Sequence, residues 1–299
     1  MALVIHVDDI LACSNGTEAM KMFKEKLATK FSVKDLGEAS FYVRCHINRN
    51  RAKKTLTLDQ HVYLKTIVDI FNVEKDSILP ASTTVGLSKK DCPTTTEEPE
   101  LMISKPYREA VGALMWASTM TRPDIADSVR RMARYCETPG HAHWKAVMKI
   151  LAYLRGTMEE GVTYGSGNSH NILAYADADY ATDLDDRLSV SGGVITLGGG
   201  AISWFSRMQR VTVMSTTEAE YVALAEVVKV ILFLRQVQQF MEPSMDEYRT
   251  LVLENNEGAI KMANNPIGSH RTKHTYGRQV PLRTSNGATT QDQHCAHRH

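Results

Sequence analysis

No run of apolar residues approaches the about 18 that a membrane-spanning helix requires, so a bilayer-embedded helical protein is excluded as a reading. No Cys-x-x-Cys pair occurs. The five cysteines (Cys13, Cys45, Cys92, Cys136 and Cys295) are odd in number and scattered, which disfavours a zinc ribbon or a disulfide framework and points to a reducing compartment. Charge of one sign is also missing: 35 Lys and Arg stand against 34 Asp and Glu, a net +1, so only the local distribution of charge can speak about polyanionic partners. No internal repeat is visible. The stretch from Met1 to Cys13 is apolar but lacks a basic start and is interrupted by Asp8-Asp9, unlike a secretory leader. An intracellular protein without a membrane association is therefore expected, with export through this segment as the alternative. What is present is ample material for cores: 43% of the 299 residues are hydrophobic, enough for one large or two ordinary domains.

Organisation follows from local pattern. Leu3–His6 and Ile10–Ala12 flank Asp8-Asp9 and read as a tight hairpin. Thr17 to Lys30 reads as an amphipathic helix with Met20, Phe23, Leu27 and Phe31 on one face. Paired strands at 41–47 and 55–58 and a helix from His61 to Phe71 complete a first unit over 1–85. Residues 86–104 are polar and rich in Thr, Pro and Glu, the composition of a linker. A helical connection is expected over 105–165, broken at Thr138-Pro139-Gly140. From 170 the pattern changes to short strands at Ile172–Tyr180, Val190–Leu197 and Ala201–Phe205. A long helix from Thr216 to about Met241, a strand at Leu251–Leu253 and a helix from Glu257 to Ala263 follow. The expected fold class is mixed α/β (α+β).

Several motifs stand in order along this pattern. They are Val7-Asp8-Asp9; Lys34-Asp35-Leu36-Gly37-Glu38; Tyr107-Arg108 with Val111-Gly112-Ala113-Leu114; Thr121-Arg122-Pro123-Asp124-Ile125; and His143 with Ile150 to Thr157. Further on come Tyr175-Ala176-Asp177-Ala178-Asp179-Tyr180, Ser215-Thr216-Thr217-Glu218-Ala219-Glu220-Tyr221, and His270-Arg271-Thr272-Lys273-His274. Together they resemble the Pol polyprotein of copia-type LTR retrotransposons over essentially residues 3–274. The resemblance implies a partial reverse-transcriptase palm, thumb and connection, followed by an incomplete ribonuclease H-like domain at 170–274. It implies an RNA–DNA hybrid as ancestral substrate, Mg²⁺ as cofactor and a longer Pol chain as a possible partner.

The same resemblance assigns site residues and exposes departures. Asp8 and Asp9 match the polymerase carboxylates, but a third aspartate on an earlier strand would lie before Met1, so no polymerase activity is expected from this chain alone. Asp177 and Glu220 match the first two nuclease ligands, which hold divalent ions that activate water and stabilise the leaving oxygen. Glu218 fits the S/T-x-x-E box and so has a capping role. Asn255 stands where the third acid belongs and keeps its shape without its charge. Glu254 should face away from the site by strand alternation, and rescue by Glu257 is not expected. Tyr276 stands where the fourth acid belongs. Residues 275–299 depart from the family pattern and read as a frameshifted, disordered tail. Little or no catalysis is therefore expected.

Between 120 and 157 seven basic residues face three acidic ones, and Arg130, Arg131, Arg134, Lys145 and Lys149 form part of a stripe suited to phosphates. A solvated helix face is the plain alternative. Four readings stay open: an impaired reverse transcriptase/ribonuclease H fragment, a non-catalytic nucleic-acid-binding module, a fragment recruited as a secreted host-interacting protein, and a remnant without function.

Overall fold

The computed structural model describes residues 1–81, 86–94, 102–165, 171–243 and 250–264. The fold is mixed α/β, with two four-stranded sheets, a separate two-stranded hairpin and a helical layer between the sheets in sequence. Tyr276 and the 275–299 tail lie outside the described residues. Among those described, no helix is long and apolar enough to cross a membrane.

The N-terminal hairpin pairs β1 (Ala2–His6) with β2 (Asp9–Cys13). Its turn falls on Val7-Asp8 rather than Asp8-Asp9: Val7 takes φ 52° and Asp9 opens β2 opposite His6. A β-branched residue is costly in that backbone region. Leu3, Val4, Ile5, Val7 and Ile10 are all exposed. The following helix α1 (Thr17–Ala28) fully buries no residue: on the apolar face expected from its spacing Met20, Phe23 and Leu27 are half-buried and Phe31 is exposed. An uncovered two-stranded ribbon presents unpaired backbone edges to other chains. Ile5→Lys is expected to reduce light scattering on concentration while changing stability by no more than about 0.5 kcal/mol; increased scattering would show that Ile5 is packed.

The first four-stranded sheet is antiparallel, ordered β3 (Phe41–Tyr42), β4 (Cys45–Asn50), β5 (Thr55–Asp59) and β6 (Gly161–Tyr164). The last strand differs from expectation. Residues 161–164, read as the end of the helical connection, return about a hundred positions later to pair with β5, with Thr57 and Thr163 hydroxyls 2.9 Å apart. Helix α2 (His61–Ile70) buries Leu64, Ile67 and Val68 at helical spacing. These pack in one core with α3 (Tyr107–Met120), α4 (Ala126–Ala133) and α5 (His141–Gly156), through Leu114, Ile125, Ile150, Leu151 and Leu154. α5 begins after Pro139-Gly140, where buried His143 Nδ1 accepts the Gly140 amide at 3.0 Å and its ring stacks on Tyr135. His143 is thus a core residue.

The second sheet runs β10–β7–β8–β9, with β7 (Ile172–Asp179), β8 (Val190–Leu197) and β9 (Gly200–Met208) antiparallel and β10 (Thr250–Leu253) parallel to β7. Gly198 and Gly199 adopt φ 59° and 83° in the β8–β9 turn, conformations glycine takes without strain. Helix α6 (Thr216–Met241) lays Leu224, Val227 and Ile231 over Ile172, Ala174 and Ile195. Its close approach depends on Gly193, where an added Cβ would meet the Phe205 ring at 2.6 Å and Val227 at 2.8 Å. Helix α7 (Glu257–Asn264) follows β10. The helical layer joins this sheet directly: Trp204 Nε1 donates to the Ser118 carbonyl at 2.7 Å and Arg130 Nε to Ser206 Oγ at 3.0 Å.

Candidate active site

Alternation along β7 buries Ala174 and Ala176 and exposes Tyr175 and Asp177, so Asp177 stands free at the surface near the strand's end. Glu220 comes from the first turns of α6. That turn is fixed by Ser215, whose Oγ accepts the Glu218 amide at 3.2 Å, while Glu218 Oε2 accepts the Met214 amide at 2.7 Å. Glu218 therefore caps the helix, one residue away from the usual reciprocal bond, and Glu220 is left to face the sheet. Glu220 is buried, only 7% exposed, and accepts a backbone N–H from Ala178. Its Oε2 has no hydrogen-bond partner. Burial first, then the carboxylates of Glu254, Asp177 and Asp179, push its pKa up to about 7.

Glu254 is where sequence reasoning misdirected. Alternation placed it facing away, but β10 ends at Leu253 and the rule lapses with the strand. Its Oε1 accepts the Asn256 amide at 2.9 Å, its Oε2 is buried without a partner, and burial with the Asp177 charge raises its pKa. Three carboxylates, Asp177, Glu220 and Glu254, thus sense one another. Asn255 is exposed beside them. Asn256 opens α7, its Oδ1 accepting the Ala259 amide at 3.0 Å and the Thr217 hydroxyl at 3.3 Å, which locks the β10–α7 corner to α6. Glu257 is exposed and pairs with Lys261. The signal that could have found Glu254 is Asn256 itself: a cap two residues on marks where the strand must already have ended.

A cleft of about 330 Å³ opens on the Asp177 side of β7, lined by Asp177, Asp179, Tyr175, Trp204, Ser206 and Asp127 of α4. Asp127 is held ionised: burial raises its pKa, but Arg130 and Arg131 outweigh burial and the net shift is downward.

The basic stripe is largely consumed by internal pairs. Arg130 and Arg131 both bind Asp127 at 2.7 Å. Arg134 binds Asp183 and, at 2.8 Å, Asp186, both on the β7–β8 connection. Lys149 donates to the Ala81 carbonyl at 3.2 Å, and Lys145 is exposed. Arg130, Arg131 and Arg134, the arginines of the expected phosphate-facing stripe, are thus each ion-paired within the chain, with Arg131 still half exposed. Their partners lie outside the window that showed a basic surplus, save Asp127, which binds two of them. Asp8 and Asp9 are exposed on the hairpin, which joins no other strand among the described residues.

The comparisons with known proteins bear on this arrangement. Residues 1–81 match the family described as reverse transcriptase (RNA-dependent DNA polymerase). The chain is 39% identical over 274 residues to the retrovirus-related Pol polyprotein from transposon TNT 1-94 of Nicotiana tabacum, covering 91% of this chain and 20% of that protein. It is 31% identical over 272 residues to the Pol polyprotein from transposon RE2 of Arabidopsis thaliana, covering 91% and 18%. It is also 39% identical over 125 residues to secreted RxLR effector protein 161 of Plasmopara viticola, covering 42% of this chain and 88% of that one. No solved structure matches. The chain spans about a fifth of the length of the Pol polyproteins it matches. The first unit is thus of the reverse-transcriptase class. The chain as a whole belongs to the family of copia-type retrotransposon Pol polyproteins.

Proposed function

We propose that this chain is a reverse-transcriptase/ribonuclease H region whose nuclease half is built to act on RNA–DNA hybrids inside the cell and has lost most of its catalytic power. The observation that carries the reading is the convergence of Asp177 and Glu220 at the end of the central strand of a sheet ordered β10–β7–β8–β9, with α6 over it. Three antiparallel strands, a helix and a parallel strand is the order of a ribonuclease H domain.

The donors are of the kind a hard divalent cation takes, but their oxygens are not gathered within 4.8 Å of one another, so an ion would have to draw them together. Glu220 Oε2 and Glu254 Oε2 are buried without partners, and their mutual repulsion with Asp177 is what a cation would offset. Asp177, Glu220 and Glu254 would hold it, and Mg²⁺ would supply charge stabilisation and a more acidic bound water. Asn255 accounts for the proposed impairment: where the family carries a third acid, an amide offers one neutral oxygen and no negative charge. On the polymerase side, Asp8 and Asp9 lack a third carboxylate among the described residues, so that activity depends on a longer Pol chain.

The test is cleavage of a labelled RNA–DNA hybrid in Mg²⁺ or Mn²⁺ by the native chain, Asn255→Asp and Asp177→Asn. The native chain is expected to match Asp177→Asn, and Asn255→Asp to cleave at least about tenfold faster, the scale of a restored metal ligand. Native cleavage lost in Asp177→Asn would sink the impairment. Silence from Asn255→Asp in both metals would sink the nuclease assignment of these carboxylates.

A further inference from the structure

We propose that His46, Asp59 and His61 form a binding site for one first-row transition-metal ion, of which Zn²⁺ is the natural occupant. The three residues come together from two strands and a helix start. His46 on β4 and Asp59 on β5 are direct cross-strand partners, and His61 opens α2 two residues after Asp59. Asp59 is buried, and both of its oxygens face imidazole nitrogens: Oδ2 lies 3.1 Å from His46 Nδ1 and Oδ1 lies 2.5 Å from His61 Nδ1. The two rings stand edge to face, 5.2 Å apart at 86°. One ligand atom from each residue lies within 4.8 Å of the others.

Ligands on a tetrahedral zinc ion sit roughly 3.3 Å apart, given Zn–N and Zn–O distances near 2.0–2.2 Å. The observed spacing therefore needs only small side-chain rotations to close around an ion. The chemistry is also selective. Two imidazoles and one carboxylate suit zinc and its neighbours, whereas Mg²⁺ prefers oxygen donors alone, so this site is distinct from the acidic cluster on the second sheet. Three protein ligands leave a position open to water.

Ion binding requires both Nδ1 lone pairs. A ring that donates an Nδ1–H to Asp59 must free that nitrogen's lone pair for the ion. In the neutral ring that proton moves to Nε2 as the ion takes its place at Nδ1. The His46 and His61 side chains are 38% and 35% exposed, so solvent reaches the rings and an entry path exists. The backbone is held in readiness by the residue between the two ligands on β5 and α2. Gln60 is buried, and its Oε1 accepts the Thr121 hydroxyl at 2.8 Å, which pins the Asp59–His61 corner to the end of α3. A bound ion would brace the β4–β5 hairpin against α2, in the unit that matches the reverse-transcriptase family.

The experiment is calorimetric titration of the full chain with Zn²⁺ alone, and with Co²⁺ followed by its visible absorption. It is done in a background where His294, His297 and His299 are changed to Gln and Cys295 to Ser, to remove the tail's donors. One equivalent of Zn²⁺ is expected to bind, with four-coordinate Co²⁺ bands and a raised melting temperature. His46→Gln and His61→Gln should each weaken binding at least tenfold, with unchanged circular dichroism in the absence of metal. If either variant is unfolded, the Zn²⁺-induced melting shift of the parent decides alone. The proposal is overturned if the parent binds no Zn²⁺ at one equivalent, if its melting temperature does not move, or if folded His46→Gln and His61→Gln bind as tightly as the parent.

Discussion

Replacing Arg122 by methionine is expected to destabilise the chain by up to about 3–5 kcal/mol, the cost of removing one partner of a buried ion pair, lessened here because the Asp124 side chain is 33% exposed. Arg122 is 1% exposed, yet every face of its guanidinium is engaged. Nε and Nη2 grip Asp124 at 3.0 and 2.7 Å, Nη1 donates to the Thr157 carbonyl at 2.8 Å, Nη2 reaches the Thr157 hydroxyl at 2.7 Å, and the group lies 5.3 Å from the centre of the Tyr153 ring. This one side chain ties the α3–α4 connection to the end of α5. Methionine fills the volume of the stem but removes the charge facing Asp124, leaving it the Tyr153 hydroxyl at 2.8 Å, and takes one of two donors from the Thr157 carbonyl, which keeps the Glu160 amide at 3.1 Å. Lysine keeps the charge and loses the planar fork, so Arg122→Lys should recover only part of the loss. Urea unfolding of Arg122→Met, Asp124→Asn and the double variant checks this. The two single losses should not add, because both remove the same pair. A loss under about 1 kcal/mol for Arg122→Met would show that the pair breaks even against apolar packing.

The second large effect is a dependence of stability on pH centred on Glu220. Its folded pKa is raised from 4.5 to about 7, by burial and then by Glu254 and Asp177. The folded chain therefore binds more protons than the unfolded chain between these values. Stability from this group is complete below about pH 4.5 and is lost as pH rises through about 7. The decline is expected to be roughly 1–3 kcal/mol, with Glu254, shifted in the same direction, adding to it. Glu220→Gln stays neutral and should flatten the slope over this window. Mg²⁺ should restore stability at pH 8 in the native chain and much less in Glu220→Gln. Denaturant midpoints measured from pH 4.5 to 8.5, with and without Mg²⁺, test both statements. A native chain that gains stability with pH in this range would show that the three carboxylates do not sense one another.

Much of the local structure was legible along the chain. Val190–Leu197 and the start and end of α6 follow from apolar period and from the Ser215 cap, and β7 alternates as its residues alternate. Asp177 and Glu220 were singled out by the resemblance, and Glu220 also because an acid on the buried face of a helix has no packing reason to be there. The misreadings share one cause. Residues 161–164 carry no mark that their partner is β5, because strand pairing at such separation is set by where the helices between them fold. The basic stripe looked free because Asp183 and Asp186, the partners of Arg134, are some fifty residues away. Glu254 was assigned to the wrong side because alternation was extended past the last ladder bond.

The sequence by itself determined the family, the kinds of element and the neutral amide at Asn255, since these depend on residue identity and on neighbours within a turn or two. Only the tertiary structure decided which charges remain free. That Arg130, Arg131 and Arg134 are paired, that Glu254 joins Asp177 and Glu220, and that His46 meets Asp59 and His61 are all matters of distance. Electrostatic interaction falls off over a few ångströms in space, without regard to separation along the chain.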